Sequence, residues 1–386
     1  MRFGALIIKN LVRRPMRSAL TLVALTTAIA SVVSLIGISN GFTKSFGDIY
    51  SAHSIDIVVS RQGSADRLSS SIDQSFASQI EQLPQIKHAG AVLLETMSLE
   101  EEEIYGLPAM GIAQDSWILN DYEFISQNDI SGSQTETENE QKMSPPHIIW
   151  LGVHLAERLG VNAGDDVSLF GDPYEIAGVF KSPATWENGA MIFPIESLQE
   201  LTDRQGQATY INCILSGNVS GEAAEKAIQA ISALDERLLP LATGEFVETD
   251  TRMQLAGAMA WMTSAIALVI GAIGTLNTML TSVMERTKEI GILRAIGWPK
   301  RRIVRMILLE SCGLTILASV IGTVLAVVLT QALSQAPVVK GILTPAINLT
   351  VVLQGFGLAI GIGLLGAILP AWRASRMLPT EAFREG

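Results

Sequence analysis

Four long stretches without charged residues dominate the pattern of apolar and polar positions along the chain. No Asp, Glu, Lys or Arg occurs in residues 18–43, 253–284, 311–339 or 341–372, and each stretch is rich in Leu, Ile, Val, Ala and Gly. A helix needs about 20 apolar residues to cross the hydrocarbon core of a bilayer. The pattern therefore predicts four transmembrane helices, the last two of which form a hairpin near Lys340.

The first stretch has an alternative interpretation as a cleavable signal peptide, because Arg13, Arg14 and Arg17 precede it. Its apolar core is longer than the roughly 7–15 residues of a signal peptide, and no clear small-x-small cleavage site follows. We therefore interpret this stretch as a retained span.

The basic residues that flank the spans predict an orientation in the membrane. Residues 1–17 contain five basic and no acidic residues, and residues 285–310 contain seven basic and three acidic residues. Cytoplasmic flanks are enriched in Lys and Arg, so we expect both termini and the 285–310 loop in the cytoplasm. Trp298 and Trp372 then lie at the inner interface and Trp261 near the outer one, and residues 45–252 lie outside.

Composition and charge exclude several classes of protein. Charged residues make up 17% of the chain, against about 25% in typical domains, and the net charge of −11 argues against a nucleic-acid binder. The only two cysteines, Cys213 and Cys312, cannot form a disulfide framework. No metal-ligand spacing of histidines and no HExxH, GxSxG or GxxxxGK[ST] motif occurs, so no catalytic constellation is predicted.

A glycine motif in the last stretch resembles a dinucleotide fingerprint only in its letters. Gly361, Gly363 and Gly366 match GxGxxG, but that fingerprint belongs between a strand and a helix. Small residues inside a span instead let helices approach closely. The predicted helix-packing glycines are Gly271, Gly274, Gly357 and Gly361.

The segment outside the membrane combines strand and helix patterns. Residues 54–60 alternate like a strand, whereas 71–83 and 222–238 have helical spacing of apolar residues. Residues 165–180 predict a hairpin that turns at Gly171, Asp172 and Pro173. The polar stretch 126–144 predicts a mobile loop.

The loop after the second span predicts a short helix with two apolar stripes. Ile290, Leu293 and Gly297 share one face, Ile292 and Ile296 share another, and Glu285 and Glu289 are one turn apart. Gly297 is suited to end this helix in a left-handed conformation. From the residues alone, a simple interfacial helix is the alternative.

In this loop the sequence resembles the MacB/FtsX-like family of ABC transporter permeases, the type VII exporters. The family pattern ERTxEIGIxxAxGA is nearly complete over 285–297, although Trp298 stands where a small residue is usual. The outer "LAERLGVNAGDDVSLFGDPYEIAGVF" and the final "LPAWRASRMLPTEAFREG" also resemble the family. The similarity covers most of the chain, and the loop motif is its most specific part.

The resemblance implies a fold of four transmembrane helices with a large extracytoplasmic α+β domain inserted between the first and second spans. It implies that an ATPase binds the loop helix and that the first two spans carry its motion outward. The ATPase-coupling residues implied are Glu285, Arg286, Glu289, Ile290, Gly291, Leu293, Arg294 and Gly297. A helix over 253–284 would be roughly 48 Å long, so it should extend outward as a stalk beside Phe42, Phe46 and Ile49.

The resemblance also implies partners. Two ATPase subunits would bind ATP and Mg²⁺, this chain would hold no cofactor, and a second permease copy or a related permease would complete the complex. A separate ATPase is expected because only 17 residues precede the first span. A periplasmic adaptor accompanies some family members, and the expected location is the bacterial inner membrane.

The predicted boundaries are a cytoplasmic amphipathic helix at 1–17, spans at 18–43, 253–284, 304–333 and 350–372, an extracytoplasmic domain with stalk extensions at 44–252, a coupling-helix loop at 285–300, a short outer loop at 334–349 and a cytoplasmic tail at 373–386.

Three functions are compatible with the sequence. The first is export or extraction of an amphiphilic, lipid-like or peptide substrate by mechanotransmission, and the size of the outer segment favours it. The second is FtsX-like signalling that regulates outer cell-wall enzymes or senses antibiotics without transport. The third is a stand-alone receptor, against which the loop motif weighs. No charged residue is predicted deep in the spans, since Glu310 and Lys340 are placed at span ends, so no substrate is indicated.

Overall fold

The structure is a computed structural model that describes residues 15–63, 70–99, 104–127, 147–217, 221–335 and 345–377. It divides into two units. The first comprises 1–41, 256–333 and 345–386 and is called the helical unit here. The second comprises 42–255 and 334–344 and is called the outer domain.

The helices described are α1 (Pro15–Ala52), α2 (Ser75–Glu81), α3 (Val153–Leu159), α4 (Ile195–Leu201), α5 (Gly221–Ser232), α6 (Thr243–Glu248), α7 (Thr251–Glu285), α8 (Thr287–Ala295), α9 (Lys300–Ser334) and α10 (Leu349–Arg376). The strands are β1 (Ile57–Arg61), β2 (Ile72–Asp73), β3 (Ile86–Leu99), β4 (Ile104–Ile112), β5 (Glu123–Gln127), β6 (Ile148–Gly152), β7 (Asp166–Leu169), β8 (Asp172–Lys181), β9 (Met191–Pro194), β10 (Gln207–Ala208), β11 (Tyr210–Leu215) and β12 (Leu238–Ala242). Two 3₁₀ turns cover Trp117–Asp121 and Glu187–Gly189.

Four of these helices are long and apolar enough to cross a membrane, as the sequence predicts. They are α1, α7, α9 and α10, with mean hydropathy of 2.2, 1.8, 2.5 and 2.1 in their most apolar windows. All backbone polar groups of a helix are satisfied within the segment, which is why such a stretch can lie in hydrocarbon. The fold is therefore four apolar spans with an α+β domain between the first and the other three.

The helical unit is packed around α1. Leu25, Ile29 and Val33 of α1 are buried in one apolar cluster with Ala318 of α9 and Ala359 of α10. The small side chains on the partner helices allow close approach, because a bulkier residue would hold the axes apart.

Glycines mark close contacts between the helices. A Cβ on Gly363 would press directly on the side chain of Thr315, and one on Gly366 would lie 3.0 Å from the carbonyl oxygen of Ala272. By contrast, a Cβ on Gly357 or Gly361 would meet nothing within 4 Å in this chain. Within this chain those two glycines therefore make no close helix contact, since spacing alone does not reveal the buried face of α10.

The two glycines predicted on α7 do lie near α1. A Cβ on Gly271 would lie 3.3 Å from Ala28, and one on Gly274 would lie 3.9 Å from Ala24. The GxGxxG match lies wholly inside α10, which agrees with its interpretation as a feature of a span.

One long mixed sheet forms the frame of the outer domain. Its strand order is β12-β1-β11-β3-β4-β9-β6-β8-β5, with β7 on β8, and β2 and β10 form a separate pair. Neighbours are antiparallel except for β4 with β9 and β6 with β8. The long strand β3 joins the two halves, since its first residues pair with β11 and its later ones with β4.

The described residues of the outer domain form three buried apolar clusters. One lies under α3 and α4 and includes Leu93, Ile149 and Phe193. A second lies under α2 and α5 and includes Ile57 and Ile231.

The third cluster contains residues from the ends of two span helices. Phe46, Ile49 and Tyr50 from the last turns of α1 and Met253 from the first turn of α7 are buried with Phe180 and Phe246. Aromatic edge contacts link Tyr50 to Phe46 and to Phe246. Both span helices thus continue into the core of the outer domain.

The hairpin predicted over 165–180 is present, but its turn lies one residue earlier. Leu169 pairs with Asp172, so Phe170 and Gly171 are the two turn residues. Their φ angles are +54° and +90°, as a type I′ turn requires at both central positions. The prediction of Gly171–Pro173 was wrong because Asp172 and Pro173 already belong to β8.

Other local predictions shift at their ends. The helix predicted at 222–238 ends at Ser232, because Leu238–Ala242 pairs with β1. The helix predicted at 71–83 covers only Ser75–Glu81, since Ile72 pairs with β10. The strand predicted at 54–60 is found at Ile57–Arg61.

Several predictions fall largely outside the described residues. They concern the amphipathic segment before Pro15, the polar loop apart from Ser126 and Gln127 in β5, the residues around Lys340 and the tail after Met377.

Candidate coupling site

The predicted loop helix is α8, and both of its ends are fixed by local backbone hydrogen bonds. At its start, the N–H of Arg286 donates to the carbonyl oxygen of Val283, so α7 turns into α8 within one residue. At its end, the N–H of Trp298 donates to Leu293 and that of Gly297 to Arg294. Gly297 has φ of +96°, which completes a Schellman motif. The predicted role of Gly297 as the helix end is confirmed.

One stripe of α8 is packed into the helical unit. Ile290 is buried in a cluster with Val283, Ile303 and Met306, and Ala371 and Ala374 of α10 complete the cluster. Leu293 and Trp298 pack against the same cluster from its edge. The stripe that contains Ile290 therefore seats the helix.

The opposite stripe is exposed. Glu289, Ile292 and the C-cap residue Ile296 follow one another at helical spacing along α8, and Glu285 is the last residue of α7; all four are exposed. The exposed fractions of Ile292 and Ile296 are 45% and 73%. We call these four residues the outward face. Exposed aliphatic side chains beside charges are typical of a surface that binds a partner protein.

The structure thus divides the eight predicted coupling residues into two groups. Glu285, Glu289 and Gly297 are exposed, whereas the remaining five are buried or half-buried; these are Arg286, Ile290, Gly291, Leu293 and Arg294. The guanidinium of Arg294 donates to the carbonyl oxygen of Trp298 at 3.0 Å, inside the loop itself. Ile292 and Ile296 are also exposed, although they are not among the predicted coupling residues.

A buried ion pair joins the start of α8 to α9. Nη1 of Arg286 lies 3.0 Å and 3.1 Å from the two carboxylate oxygens of Glu310, and the two side chains are only 13% and 9% exposed. Glu310 lies ten residues after the start of α9 and is buried. The sequence shows that Glu310 is charged, but its partner Arg286 is 24 positions away and no local pattern connects the two.

Two arginine–tryptophan contacts lie near the helix ends described here, one at the start of α9 and one at the end of α10. The guanidinium of Arg302 lies 4.2 Å from the ring centre of Trp298, and that of Arg376 lies 4.0 Å from Trp372. Such cation–π contacts suit residues at a membrane interface, where the ring is apolar and the charge is hydrated.

A second polar cluster, in the outer domain, was not predicted. His53 follows α1 directly and contacts Asp121 and Glu187. The hydroxyl groups of Tyr122 and Ser182 also donate to Glu187. The histidines are scattered in the sequence, and the partners of His53 lie far apart along the chain, so no local pattern indicates this cluster. In the described part of the chain, no group of three or more His, Cys, Asp or Glu is arranged to hold a metal ion.

Four apolar spans, an α+β domain inserted after the first, and a short exposed helix between the second and third define a multi-pass membrane protein of the permease class. The MacB-like periplasmic core domain matches residues 18–231, more than half of the chain, and the FtsX-like permease C-terminal domain matches 261–379. The chain therefore belongs to the MacB/FtsX-like family of ABC transporter permeases, and its outer domain is periplasmic.

Curated relatives are similar over nearly the whole chain. The macrolide export ATP-binding/permease protein MacB of Nitrobacter winogradskyi is 24% identical over 386 residues, which are 96% of this chain and 58% of that protein. The pyoverdine export ATP-binding/permease protein PvdT of Pseudomonas putida is 25% identical over 95% of this chain and 57% of its own length. The chain thus spans less than two thirds of these relatives.

Among solved structures, the periplasmic region of MacB from Actinobacillus actinomycetemcomitans is similar, with a TM-score of 0.38 and 13% identity. The match covers 52% of this chain and 94% of that structure.

Proposed function

We propose that this chain is the permease of a MacB-like exporter that transmits ATP hydrolysis to its periplasmic domain by mechanical movement. ATP and Mg²⁺ bind in an ATP-binding unit that lies outside these 386 residues, and this chain holds no cofactor. The absence of a GxxxxGK[ST] motif from the sequence supports this division of labour. Two ATP-binding units and two permeases form the complex in the bacterial inner membrane, with both permease termini in the cytoplasm.

The outward face of α8 carries this proposal. It presents Glu289 and two isoleucines along a helix whose opposite stripe is packed into the helical unit and whose end forms a Schellman motif, and Glu285 lies beside them at the end of α7. A partner groove that covers Ile292 and Ile296 would remove both from water, with about 25 cal/mol gained per Å² of apolar surface. A rigid, amphipathic helix in a groove is a common mode of protein recognition.

The ends of the first two spans support the transmission step. Tyr50 near the end of α1 and Met253 at the start of α7 are buried in one cluster of the periplasmic domain. Because close-packed cores transmit strain rather than absorb it, a shift of either helix would move the strands around Phe180. The names of the relatives support export as the direction of transport. The proposed cargo is amphiphilic, lipid-like or peptidic, and a periplasmic adaptor is a proposed partner.

The test is to place an acidic residue on the outward face. In lipid nanodiscs, Ile292→Asp and Ile296→Asp should each weaken binding of the ATP-binding protein that co-purifies with the full chain by about tenfold or more, as at an interface hot spot. Ile125→Asp is the matched control, because Ile125 is an exposed isoleucine of β5 in the periplasmic domain. Unchanged binding in both outward-face variants would overturn the proposal.

A further inference from the structure

The start of the coupling helix is held by a charge that the family pattern does not include. We propose that Glu310 is a positioning residue of the coupling site, which acts through Arg286 to lock α8 onto α9. This inference rests on the proposed function, because the coupling role of α8 does. It also assigns Arg286 to the interior of the permease rather than to the surface that meets the ATPase.

Arg286 lies at the junction of two helices. It is the single residue between α7 and α8, and its carbonyl oxygen accepts the N–H of Ile290 at 2.9 Å. The ion pair therefore joins this junction to α9 and fixes the point at which α8 begins. The packing of Ile290 and Leu293 holds the rest of the helix.

Glu310 is attached to a rigid part of the helical unit. The next residue, Ser311, donates to the carbonyl oxygen of Gly363 at 2.7 Å, and Thr315 packs directly against Gly363. The third and fourth spans are therefore tightly joined at the level of Glu310. A force on α8 would reach both spans through the Arg286 guanidinium.

Because the Arg286–Glu310 pair is buried, it restricts the orientation that α8 can adopt. A buried charge without its partner is strongly disfavoured, so neither side chain can leave the other without loss of stability. Of the neighbouring charged residues, Glu285, Lys288 and Glu289 are exposed, and Arg294 donates to the carbonyl oxygen of Trp298. The pair therefore favours one orientation of α8 over neighbouring ones, and coupling would depend on that orientation.

The first experiment measures how firmly α8 is packed against the helical unit, in the permease without its partner. Ile290→Cys is placed in a chain that also carries Cys213→Ala and Cys312→Ser, and labelling by a maleimide is followed in nanodiscs. Ile290 is only 2% exposed, so labelling should be slow. Glu310→Ala, Glu310→Gln and Arg286→Ala should each speed it by about tenfold or more, as expected when a buried pair is broken. Lys288→Ala, which removes an exposed charge from the same helix, should not.

A double-mutant cycle tests whether the two residues act as one unit. If they do, Arg286→Ala combined with Glu310→Ala should label no faster than either single variant. The proposal would be overturned if the two single effects multiplied in the double variant, or if the single variants were labelled as slowly as the parent chain. Should Glu310→Ala fail to insert into the membrane, Glu310→Gln gives the same comparison, since it keeps the shape of the side chain and removes only its charge.

The second experiment separates positioning from docking. The Glu310 variants should retain the outward face, so affinity for the co-purified ATP-binding protein should change by less than about threefold while stimulated ATP turnover falls about tenfold. A parallel loss of affinity and turnover would contradict a positioning role. If instead Ile292→Asp leaves binding intact, the proposed function fails, and the labelling experiment still decides whether Glu310 holds α8.

Discussion

His53 and Glu187 form a buried hydrogen-bonded pair in the periplasmic domain, although 134 positions separate them. Nε2 of His53 lies 3.2 Å from each carboxylate oxygen of Glu187, and Nδ1 lies 2.9 Å from Asp121. Both ring nitrogens can donate at once only when the imidazole is protonated. Burial lowers the pKa of His53, but the hydrogen bond and charge of Glu187, followed by those of Asp121, raise it above its usual value of 6.5.

This pair predicts that the region loses stability as the pH rises. A group with a raised folded-state pKa contributes stability that is complete below its unfolded pKa and lost as the pH passes through the folded value. Hydrogen bonds to charged groups contribute about 1.5–3 kcal/mol. Amide exchange in residues 182–189, corrected for its intrinsic pH dependence, should therefore show falling protection above about pH 6.5. His53→Gln should remove this trend, and constant protection in the parent chain would contradict it.

Removal of Glu187 should be among the most damaging single changes in the periplasmic domain. Glu187 accepts hydrogen bonds from Tyr122 and Ser182 as well as His53, and its side chain is 2% exposed. Glu187→Ala would leave Nε2 of His53 and two hydroxyl groups without this buried acceptor, at a cost of about 3–5 kcal/mol. Thermal unfolding of the full chain should shift down by roughly 6–20 °C. Glu123→Ala, which truncates an exposed carboxylate on β5, should leave the midpoint nearly unchanged.

Four of the five glycines of α10 should respond differently to alanine. Gly366→Ala would place a methyl group 3.0 Å from the backbone oxygen of Ala272, and Gly363→Ala would press on Thr315. Both variants should lower the unfolding midpoint, because overpacking costs about 1–3 kcal/mol. Gly357→Ala and Gly361→Ala meet open space and should be neutral or slightly stabilising. Equal destabilisation by all four would show that spacing, rather than the buried face, identifies packing glycines.

The spans were predictable because their signal is local. About 20 uncharged residues in a row are sufficient to indicate a span, and the end of α8 was equally local, since Gly297 alone provides the left-handed residue. The sheet was not predictable in the same way. Ile57 pairs with Cys213 on one side and Ala242 on the other, and no pattern within β1 specifies partners so far along the chain.

The coupling site was predicted as a segment but not as a surface. Both stripes of α8 contain aliphatic residues, so periodicity could not decide whether Ile290 or Ile292 is buried. That choice depends on contacts with Ile303 and Ala374, which come from α9 and α10. The Arg286–Glu310 pair was missed for a related reason, because a charge inside an apolar run reveals its need for a partner but not the partner's identity.

The turn of the β7–β8 hairpin contains a residue that is poorly suited to its conformation. Phe170 has φ of +54° and is 70% exposed, so its side chain gains little from packing. Asn before Gly is a strongly preferred sequence for a type I′ turn. Phe170→Asn should therefore stabilise the full chain by about 0.5–1 kcal/mol, measured by thermal unfolding, since it relieves backbone strain. Phe170→Val, a β-branched residue at positive φ, should have the opposite effect.

Charge reversal at Glu289 should uncouple the permease without unfolding it. Glu289 lies in the first turn of α8 and belongs to the outward face. An acidic residue near a helix N-terminus contributes about 0.3–1 kcal/mol, so Glu289→Lys should reduce the stability of α8 only modestly. It also reverses a charge that the partner groove would have to accommodate, and like charges across an interface are strongly disfavoured. Stimulated ATP turnover should therefore fall about tenfold or more, and the turnover of Glu289→Gln should lie between that of Glu289→Lys and that of the parent chain.

Glu196→Lys is the matched control, because Glu196 is an exposed acid in the first turn of α4 in the periplasmic domain. Full stimulation of Glu289→Lys, with the control also unaffected, would exclude this position from the ATPase contact.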